Sequence, residues 1–200
     1  MESATTLLEQ AEKDLWRWIR EFITVPNEFY HKKFAPCPYA KSAVADGQVD
    51  VVVWESGSPR DFIREQALAM RDERPTTGVT TRVMGFPPRM LRAWGLVDYV
   101  DALNIELVPD NVFLNAGVAK STVSCFPGSR DEPYFIVIAN TLDGVLKGSE
   151  ALQRTAFYKD WPAEQYRTVV ERRARFAAHH GCPAHAEDTE TLSVATGDGR

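Results

Sequence analysis

The sequence has no long apolar run, few cysteines and little net charge, and each of these shortages excludes a class of protein. Its longest apolar stretches, such as residues 134–139, fall far short of the roughly 20 residues that span a membrane. Three cysteines are an odd number, which argues against a disulfide framework and predicts reduced thiols in a cytoplasm. A net charge of −5 provides no field that attracts nucleic acid. We therefore expect neither a membrane partner nor a nucleic-acid partner.

Signals for targeting and for nucleotide binding are also missing. The first residues, Met1-Glu2-Ser3, carry no basic segment that leads into an apolar one, so no secretory signal is expected. The glycines form no G-x-G-x-x-G run. The segment around Lys120 is not a phosphate-binding loop. That motif needs a glycine directly before the lysine and another five residues earlier, where this chain has Ala119 and Leu114. The identity of any cofactor is therefore left open.

The composition is that of an ordinary soluble globular protein. The chain has 200 residues, of which 44% are hydrophobic and 26% charged, enough to bury a sizeable core. From residue 186 onward Glu, Asp, Thr, Ser and Gly predominate, a composition typical of a solvated tail. We predict a single α+β domain over residues 1–185 and a flexible, disordered tail over residues 186–200.

A β–helix–β unit is the clearest element of the predicted fold. An amphipathic helix over residues 5–24 comes first, followed by a β-branched strand over residues 49–54. Ser58 and Pro59 then provide a cap and a first helical residue for a helix that runs to about Arg74. The alternating residues 79–84 predict a second strand, parallel to the first if both belong to one sheet.

The remaining pattern completes an α+β prediction. Residues 104–120 are ambiguous, and the strongest strand signal covers residues 134–139. The complete prediction is a mixed four- to five-stranded sheet with an N-terminal helix and with helices packed mainly on one face. The further predicted elements are a helix that starts at residues 87–88 and ends near 95, a strand at 122–126 paired with 134–139 in a hairpin, a helix at 150–158 and a helix from about 162 to 180.

The motif Pro36-Cys37-Pro38-Tyr39-Ala40-Lys41 is the best candidate for a functional site. Proline is favoured at the first position of a helix, so the motif predicts Cys37 at the N-cap of a short helix. At an N-cap, the positive end of the helix dipole favours the thiolate form of the cysteine. A thiolate is a nucleophile or a soft metal ligand. The alternative is that Cys37 is a small buried hydrophobic residue in a turn shaped by two prolines.

The candidate catalytic residues are Cys37, Lys41 and His31. Lys41 follows the cysteine by four residues and would lie on the same side of a helix formed there. There it could stabilise the thiolate, bind a substrate carboxylate or form a Schiff base. His31 could serve as an acid or a base. Lys41 is otherwise an ordinary solvated lysine.

The candidate substrate-binding residues are Arg82, Arg89 and Tyr39. An arginine fork binds both oxygens of a carboxylate or a phosphate, and an arginine on a strand must find a partner or reach solvent. Tyr39 belongs to the cysteine motif itself. The alternative for the two arginines is surface solvation.

A histidine-rich segment near the C-terminus raises the possibility of a metal site. His179, His180, Cys182 and His185 could supply three of the four ligands that zinc prefers. The chain has no second ligand pair of defined spacing. The two adjacent histidines are also favoured at the negative end of the last helix. We therefore assign no metal-binding residue and keep metal binding as an alternative.

The first 55 residues resemble uncharacterised bacterial proteins that carry an N-terminal Cys-Pro-(Phe or Tyr)-Ala motif. The matching pieces are Trp16 and Trp18 in the preceding helix, residues 37–40, and the strand that starts at Val49. The resemblance covers about a quarter of the chain. It implies that Cys37 is used, and it implies no particular activity.

These observations favour a small cytoplasmic enzyme that acts on a small polar or anionic metabolite, through the Cys37 thiol. Isomerase, cyclase, lyase and transferase chemistry all suit a chain of this size without a nucleotide motif. One alternative is a non-enzymatic accessory domain that binds a ligand or a partner. The other is a metal-binding protein with Cys and His ligands. The expected partner is a small-molecule substrate, and a homo-oligomer is left open.

Overall fold

The computed structural model describes residues 4–26, 33–87, 95–118 and 134–180. These residues form two compact units: unit 1 comprises residues up to 101 together with 114–140, and unit 2 comprises residues 102–113 and those from 141 onward. The predicted single domain over residues 1–185 stays a prediction. His31, Arg89, the predicted strand at 122–126 and the predicted tail lie outside the described residues, as does most of the predicted helix from 87 to 95.

The described residues contain both strands and helices. The strands are β1 (Val49–Val53), β2 (Thr81–Phe86), β3 (Val112–Val118) and β4 (Phe135–Thr141). The α-helices are α1 (Ala4–Trp18), α2 (Ala40–Ala45), α3 (Pro59–Thr77), α4 (Leu96–Leu107), α5 (Leu142–Gln153), α6 (Ala163–Tyr166) and α7 (Arg172–His180). A π turn at Ile19–Ile23 extends α1, a second at Arg167–Glu171 joins α6 to α7, and a 3-10 turn at Val108–Asp110 follows α4.

The four strands form one mixed sheet in the order β1-β2-β4-β3. β1 and β2 are parallel, with Val51 opposite Val83, and α3 connects them. β2 and β4 are antiparallel, with Val83 opposite Ile138. The predicted α+β class, the mixed sheet and the parallel β–helix–β unit are therefore confirmed.

One face of the sheet packs against α1 and its π turn. Side chains alternate between the two faces of a strand, so Val51, Val83 and Ile136 lie on the same face. They form one apolar cluster with the buried side of the first helix, and Gly85 of β2 lies directly against Leu15. The helical residues of this cluster are Ala11, Leu15, Trp18, Ile19 and Phe22. The helical spacing of apolar residues predicts Leu7 and Leu8 on the same inward face as these five, but Leu8 is half-buried and Leu7 is exposed.

The opposite face of the sheet packs against α3. Arg82 and Phe86 of β2 point to this side, where Arg82 contacts Gln66 and the Phe86 ring meets the Phe62 ring edge-on at 5.7 Å. The sequence pattern predicts helices mainly on one face, whereas the described helices of unit 1 lie on both faces. The reason is that β2 is buried on both sides from Arg82 to Phe86, which weakens the alternation that a one-sided sheet would show.

Local sequence signals determine both ends of α3. The Ser58 hydroxyl accepts a hydrogen bond from the Asp61 N–H at 3.3 Å, and Pro59 is the first helical residue, as predicted. Gly78 ends the helix with a left-handed φ of 73°, three residues later than expected. Pro75 is accommodated in the last turn of the helix.

In unit 2, Asn111 anchors the start of α5. Its φ is 61°, a left-handed conformation that asparagine tolerates better than most residues. Its side chain donates to Asp143 Oδ1 at 2.9 Å and accepts from the Asp143 N–H at 2.8 Å. Burial raises the pKa of Asp143, but hydrogen bonds from Asn111, the Gly144 N–H and Thr141, together with the charge of Lys147, outweigh it, so the net pKa is lowered.

The prediction of a helix over residues 150–158 is wrong. The helix is α5, Leu142–Gln153, and it begins eight residues earlier because Asn111, distant in sequence, holds its first turn. The ambiguous residues 104–120 contain the end of α4, the 3-10 turn and β3. The strand predicted at 134–139 is confirmed as β4, and the strand predicted at 79–84 starts two residues later, at Thr81.

The contact between Gly85 and Leu15 predicts a coupled pair of substitutions. A Cβ at residue 85 would collide with the Leu15 side chain, which is fully buried, so Gly85→Ala should destabilise the protein by about 1–3 kcal/mol. Combining it with Leu15→Ala should cost less than the sum of the two single changes, as measured by urea denaturation. Gly117→Ala is the matched control, because a Cβ at residue 117 of β3 meets open space. Strict additivity would contradict the packing described.

The buried hydroxyl group of Tyr134 leads us to predict that the protein loses stability at alkaline pH. Its ring is buried in the cluster under α1, and its hydroxyl donates to Asp14 Oδ2 at 3.5 Å. Burial, followed by the negative charge of Asp14, raises the pKa of Tyr134 to about 12 from its usual value near 10. The unfolded chain therefore loses this proton first, so stability should fall between about pH 10 and pH 12. Tyr134→Phe should reduce that fall in alkaline denaturation, whereas Tyr39→Phe, at an exposed residue, should not.

Candidate functional site at the Cys37 turn

Residues 36–41, the Cys37 turn, are held by hydrogen bonds on both sides of the cysteine. The Cys37 N–H donates to the carbonyl of Ile23, at the end of the π turn, at 3.3 Å. The Cys37 carbonyl accepts from the Ala40 N–H at 3.1 Å, and the Tyr39 carbonyl accepts from the Ser42 hydroxyl at 2.9 Å. Because prolines also restrict φ at residues 36 and 38, the backbone around the thiol is constrained.

The predicted placement of Cys37 at a helix N-cap is wrong. α2 starts at Ala40, with Tyr39 in the cap position, so Cys37 and Pro38 lie in the turn before the helix. The bond from Ala40 to the Cys37 carbonyl closes that turn and delays the helix by two residues. Since α2 has only six residues, its dipole provides little stabilisation for a thiolate. The expectation that Lys41 shares a helical face with Cys37 fails for the same reason.

The side chains of Cys37, Tyr39 and Lys41 are all exposed. The interpretation of Cys37 as a small buried hydrophobic residue is therefore wrong. The structure keeps these three predicted site residues together on one short, constrained turn. What the arrangement offers chemically is an accessible thiol with an ammonium group and a phenol close to it in sequence.

A π turn supports the Cys37 turn and was not expected from the sequence. At Ile19–Ile23 the helix widens, and the Thr24 N–H donates to the carbonyl of Ile19 at 3.0 Å. Ile19 and Phe22 remain buried under the sheet, so the turn is fixed to the core. Single π turns occur frequently at functional sites. In a sequence, a π turn shows itself only as a one-residue shift in the spacing of the apolar residues. Over a single turn this shift is too short to be recognised.

Arg82 does not join the Cys37 turn. Its side chain lies on the α3 face of the sheet, whereas Val44 of α2 packs into the cluster on the α1 face. All three guanidinium nitrogens donate within the protein: Nε to Asp50 at 2.9 Å, Nη2 to Glu73 at 2.7 Å and Nη1 to Gln66 at 3.3 Å. With 7% of its side chain exposed, Arg82 connects β1, β2 and α3. This geometry favours a structural role over the predicted substrate-binding role.

The remaining candidates are placed only in part. His31, Arg89, Cys182 and His185 lie outside the described residues. His179 and His180 occupy the last turn of α7, and His179 Nδ1 lies 2.7 Å from the Arg175 carbonyl. Within residues 4–26, 33–87, 95–118 and 134–180, no three His, Cys, Asp or Glu side chains are grouped as metal ligands.

An unexpected polar group lies at the carboxyl ends of β1 and β2. Trp54 follows β1 directly, is 7% exposed and donates its backbone N–H to Gly85 at 2.9 Å. Its ring packs 6.1 Å from the Phe86 ring. Within the part of the chain that the structure describes, the buried indole Nε1 has no hydrogen-bond partner. A buried donor without an acceptor costs about 1–3 kcal/mol of stability, so it requires an explanation.

A surface depression of about 530 Å³ lies along the exposed side of α1 and its π turn. All of the described residues that line it belong to this one helical segment. None of the predicted site residues that the structure describes, Cys37, Lys41, Tyr39 and Arg82, lines it. Its lining residues are Glu9, Glu12, Lys13, Trp16, Arg17, Arg20 and Glu21.

Comparison with known proteins adds no further assignment. No protein-family model, curated protein or solved structure matches the chain. The resemblance to the Cys-Pro-(Phe or Tyr)-Ala proteins therefore stays a prediction. No helix in the described ranges is both long enough and apolar enough to cross a membrane.

The Arg82 contacts predict that lysine cannot replace this arginine. Arg82→Lys keeps the charge but loses the fork that reaches Asp50, Glu73 and Gln66 together, and should cost about 1.5–3 kcal/mol in urea denaturation. Arg17→Lys, at an exposed ion pair with Asp14, should change stability by less than about 0.5 kcal/mol. A neutral result for Arg82→Lys would contradict the structural role.

Proposed function

We propose that the protein is a small cytoplasmic enzyme that acts on a small polar or anionic metabolite through the Cys37 thiol. One observation supports this most directly. The thiol is exposed, while the backbone N–H and carbonyl of the same residue are both hydrogen-bonded and flanked by prolines. A nucleophile benefits from this combination, because the side chain is accessible and its attachment point is fixed.

The neighbouring side chains have roles that follow from their chemistry. In this proposal the Cys37 thiolate adds to a carbonyl carbon of the substrate: the S–C bond forms as the C=O π bond breaks, and its electron pair moves to the oxygen, which takes a proton from water. The Lys41 ammonium group stabilises the thiolate and attracts an anionic substrate. The exposed Tyr39 ring contacts the bound substrate. His31 as an acid or base and Arg89 as an anion-binding residue remain part of the proposal. Isomerase, cyclase, lyase and transferase reactions are all compatible with these groups.

A second candidate function is a non-enzymatic accessory domain that binds a ligand or a partner. The observation in its favour is apolar exposure next to the same turn. The carbonyl of Ile23 accepts the hydrogen bond from Cys37, and Val25, two residues after Ile23, is 42% exposed. Tyr39 is 44% exposed. Exposed apolar side chains occur in binding surfaces. The metal-binding alternative finds no comparable support among the described residues.

Thiol reactivity tests the enzymatic proposal. In a Cys125→Ser, Cys182→Ser background, Cys37 is the only thiol, and iodoacetamide should modify it several times faster at pH 7 than it modifies N-acetylcysteine. Lys41→Gln should lower that rate, because the proposal assigns the stabilisation of the thiolate to the Lys41 ammonium group. The matched control is Lys13→Gln, at an exposed residue of α1. The measurement is the alkylation rate as a function of pH, followed by mass spectrometry.

Two outcomes would contradict the proposal. The first is an alkylation rate equal to that of N-acetylcysteine across the pH range. The second is that Cys37→Ser and wild-type protein perform equally in complementation of a deletion strain, which is the result that the accessory-domain alternative predicts. Cys37→Ser changes one atom at an exposed position, so the variant should fold, and circular dichroism checks this.

A further inference from the structure

The carboxyl ends of β1 and β2 have the geometry of a ligand site. The two strands are parallel neighbours joined by α3, so their carboxyl ends and the first turn of α3 lie at the same edge of unit 1. Ligands of parallel α/β units commonly bind at this edge, against a helix N-terminus. α3 has 19 residues, and the exposed loop 55–58 leads into it. This arrangement alone does not define a site.

Among the residues that the structure describes, the buried indole nitrogen of Trp54 has no hydrogen-bond partner, which points to a missing acceptor at this edge. Trp54 lies opposite Phe86, one residue beyond the pair Val53 and Gly85, so its ring emerges on the α3 face of the sheet. Phe86 contacts both the Trp54 ring and the Phe62 ring of the first α3 turn. The indole therefore lies between the strand ends and the start of α3. Its N–H is a hydrogen-bond donor, so it calls for a ligand with an acceptor atom.

A cation is fixed at the same edge. Arg60, the second residue of α3, is exposed, and its guanidinium carbon lies 5.3 Å from the centroid of the Tyr99 ring. The Tyr99 hydroxyl also donates to the Arg60 carbonyl at 3.0 Å. The ring thus holds the arginine next to the positive end of the α3 dipole. The N-terminus of α3 adds little, because Ser58 already accepts from the N–H groups of Asp61 and Phe62, and Glu55 and Asp61 bring negative charge to this edge. The groups that favour a negatively charged acceptor are therefore the indole donor and the guanidinium.

We propose that this edge, formed by Trp54, loop 55–58 and the first turn of α3, binds a small oxyanion that accepts a hydrogen bond from Trp54 Nε1. The oxyanion is a phosphate or carboxylate group of a small molecule. Because Nε1 is closed to solvent, an anion reaches it only when the side chains that cover the indole move. The site does not include Cys37, so it stands or falls independently of the proposed thiol chemistry.

Titration with inorganic phosphate and with malonate tests the proposal. Each sodium salt is compared with sodium chloride at equal ionic strength by thermal denaturation and calorimetry. We expect one of the two anions to raise the melting temperature, and Trp54→Phe to weaken its binding at least tenfold. Arg60→Gln should weaken binding several-fold. Trp16→Phe and Arg17→Gln, both on α1, are the matched controls and should bind as the wild type does.

Nuclear magnetic resonance keeps the test decisive if Trp54→Phe does not fold. In the wild-type protein, the indole ¹H–¹⁵N signal of Trp54 should move downfield when the bound anion accepts its hydrogen bond, and the signal of Trp16 should not move. The proposal is overturned if neither anion stabilises the protein relative to chloride. It is equally overturned if Trp54→Phe binds the anion as tightly as the wild type, or if the Trp54 signal stays in place at saturation.

Discussion

The close approach of α1 to β2 at Gly85 is the constraint on which the rest of unit 1 depends. Leu15 occupies the space that a side chain at residue 85 would take, and it brings the buried side of α1 onto the sheet. On the other face, Arg82 connects the same strand to β1 and α3. β2 is therefore covered on both faces and paired on both edges, by β1 and β4.

The Cys37 turn depends on this packing. The docked α1 leads into the π turn, whose Ile19 and Phe22 side chains are buried in the same cluster, and the Ile23 carbonyl then holds the Cys37 backbone. A change that loosened α1 would therefore also release the thiol-bearing turn, although the two are separated in sequence. The position of the thiol is thus a property of the core and not only of the two prolines beside it.

Most of the fold, but less of the site, could be predicted from the sequence. The cap at Ser58, the β-branched β1 and the alternation in β2 are local signals, so the parallel unit was predictable. The start of α5 depends on a contact between Asn111 and Asp143, which are far apart in the chain, so no local sequence pattern predicts it.

At the site, the two prolines correctly indicated a stiff turn. They misplaced the helix start, because Ala40 bonds back to Cys37. Arg82 is a candidate from the sequence because it is an arginine on a strand. Its partners on α3 could not be predicted from sequence spacing.

The chain order of the sheet has a consequence for synthesis on the ribosome. β1, α3 and β2 are consecutive, so they can assemble as soon as they emerge. β4, the antiparallel neighbour of β2, ends only at Thr141, after the residues of unit 2 that interrupt unit 1. At ordinary rates of translation, β2 therefore waits roughly 3–10 s for this partner. During that interval its backbone is an open edge that can pair with another nascent chain.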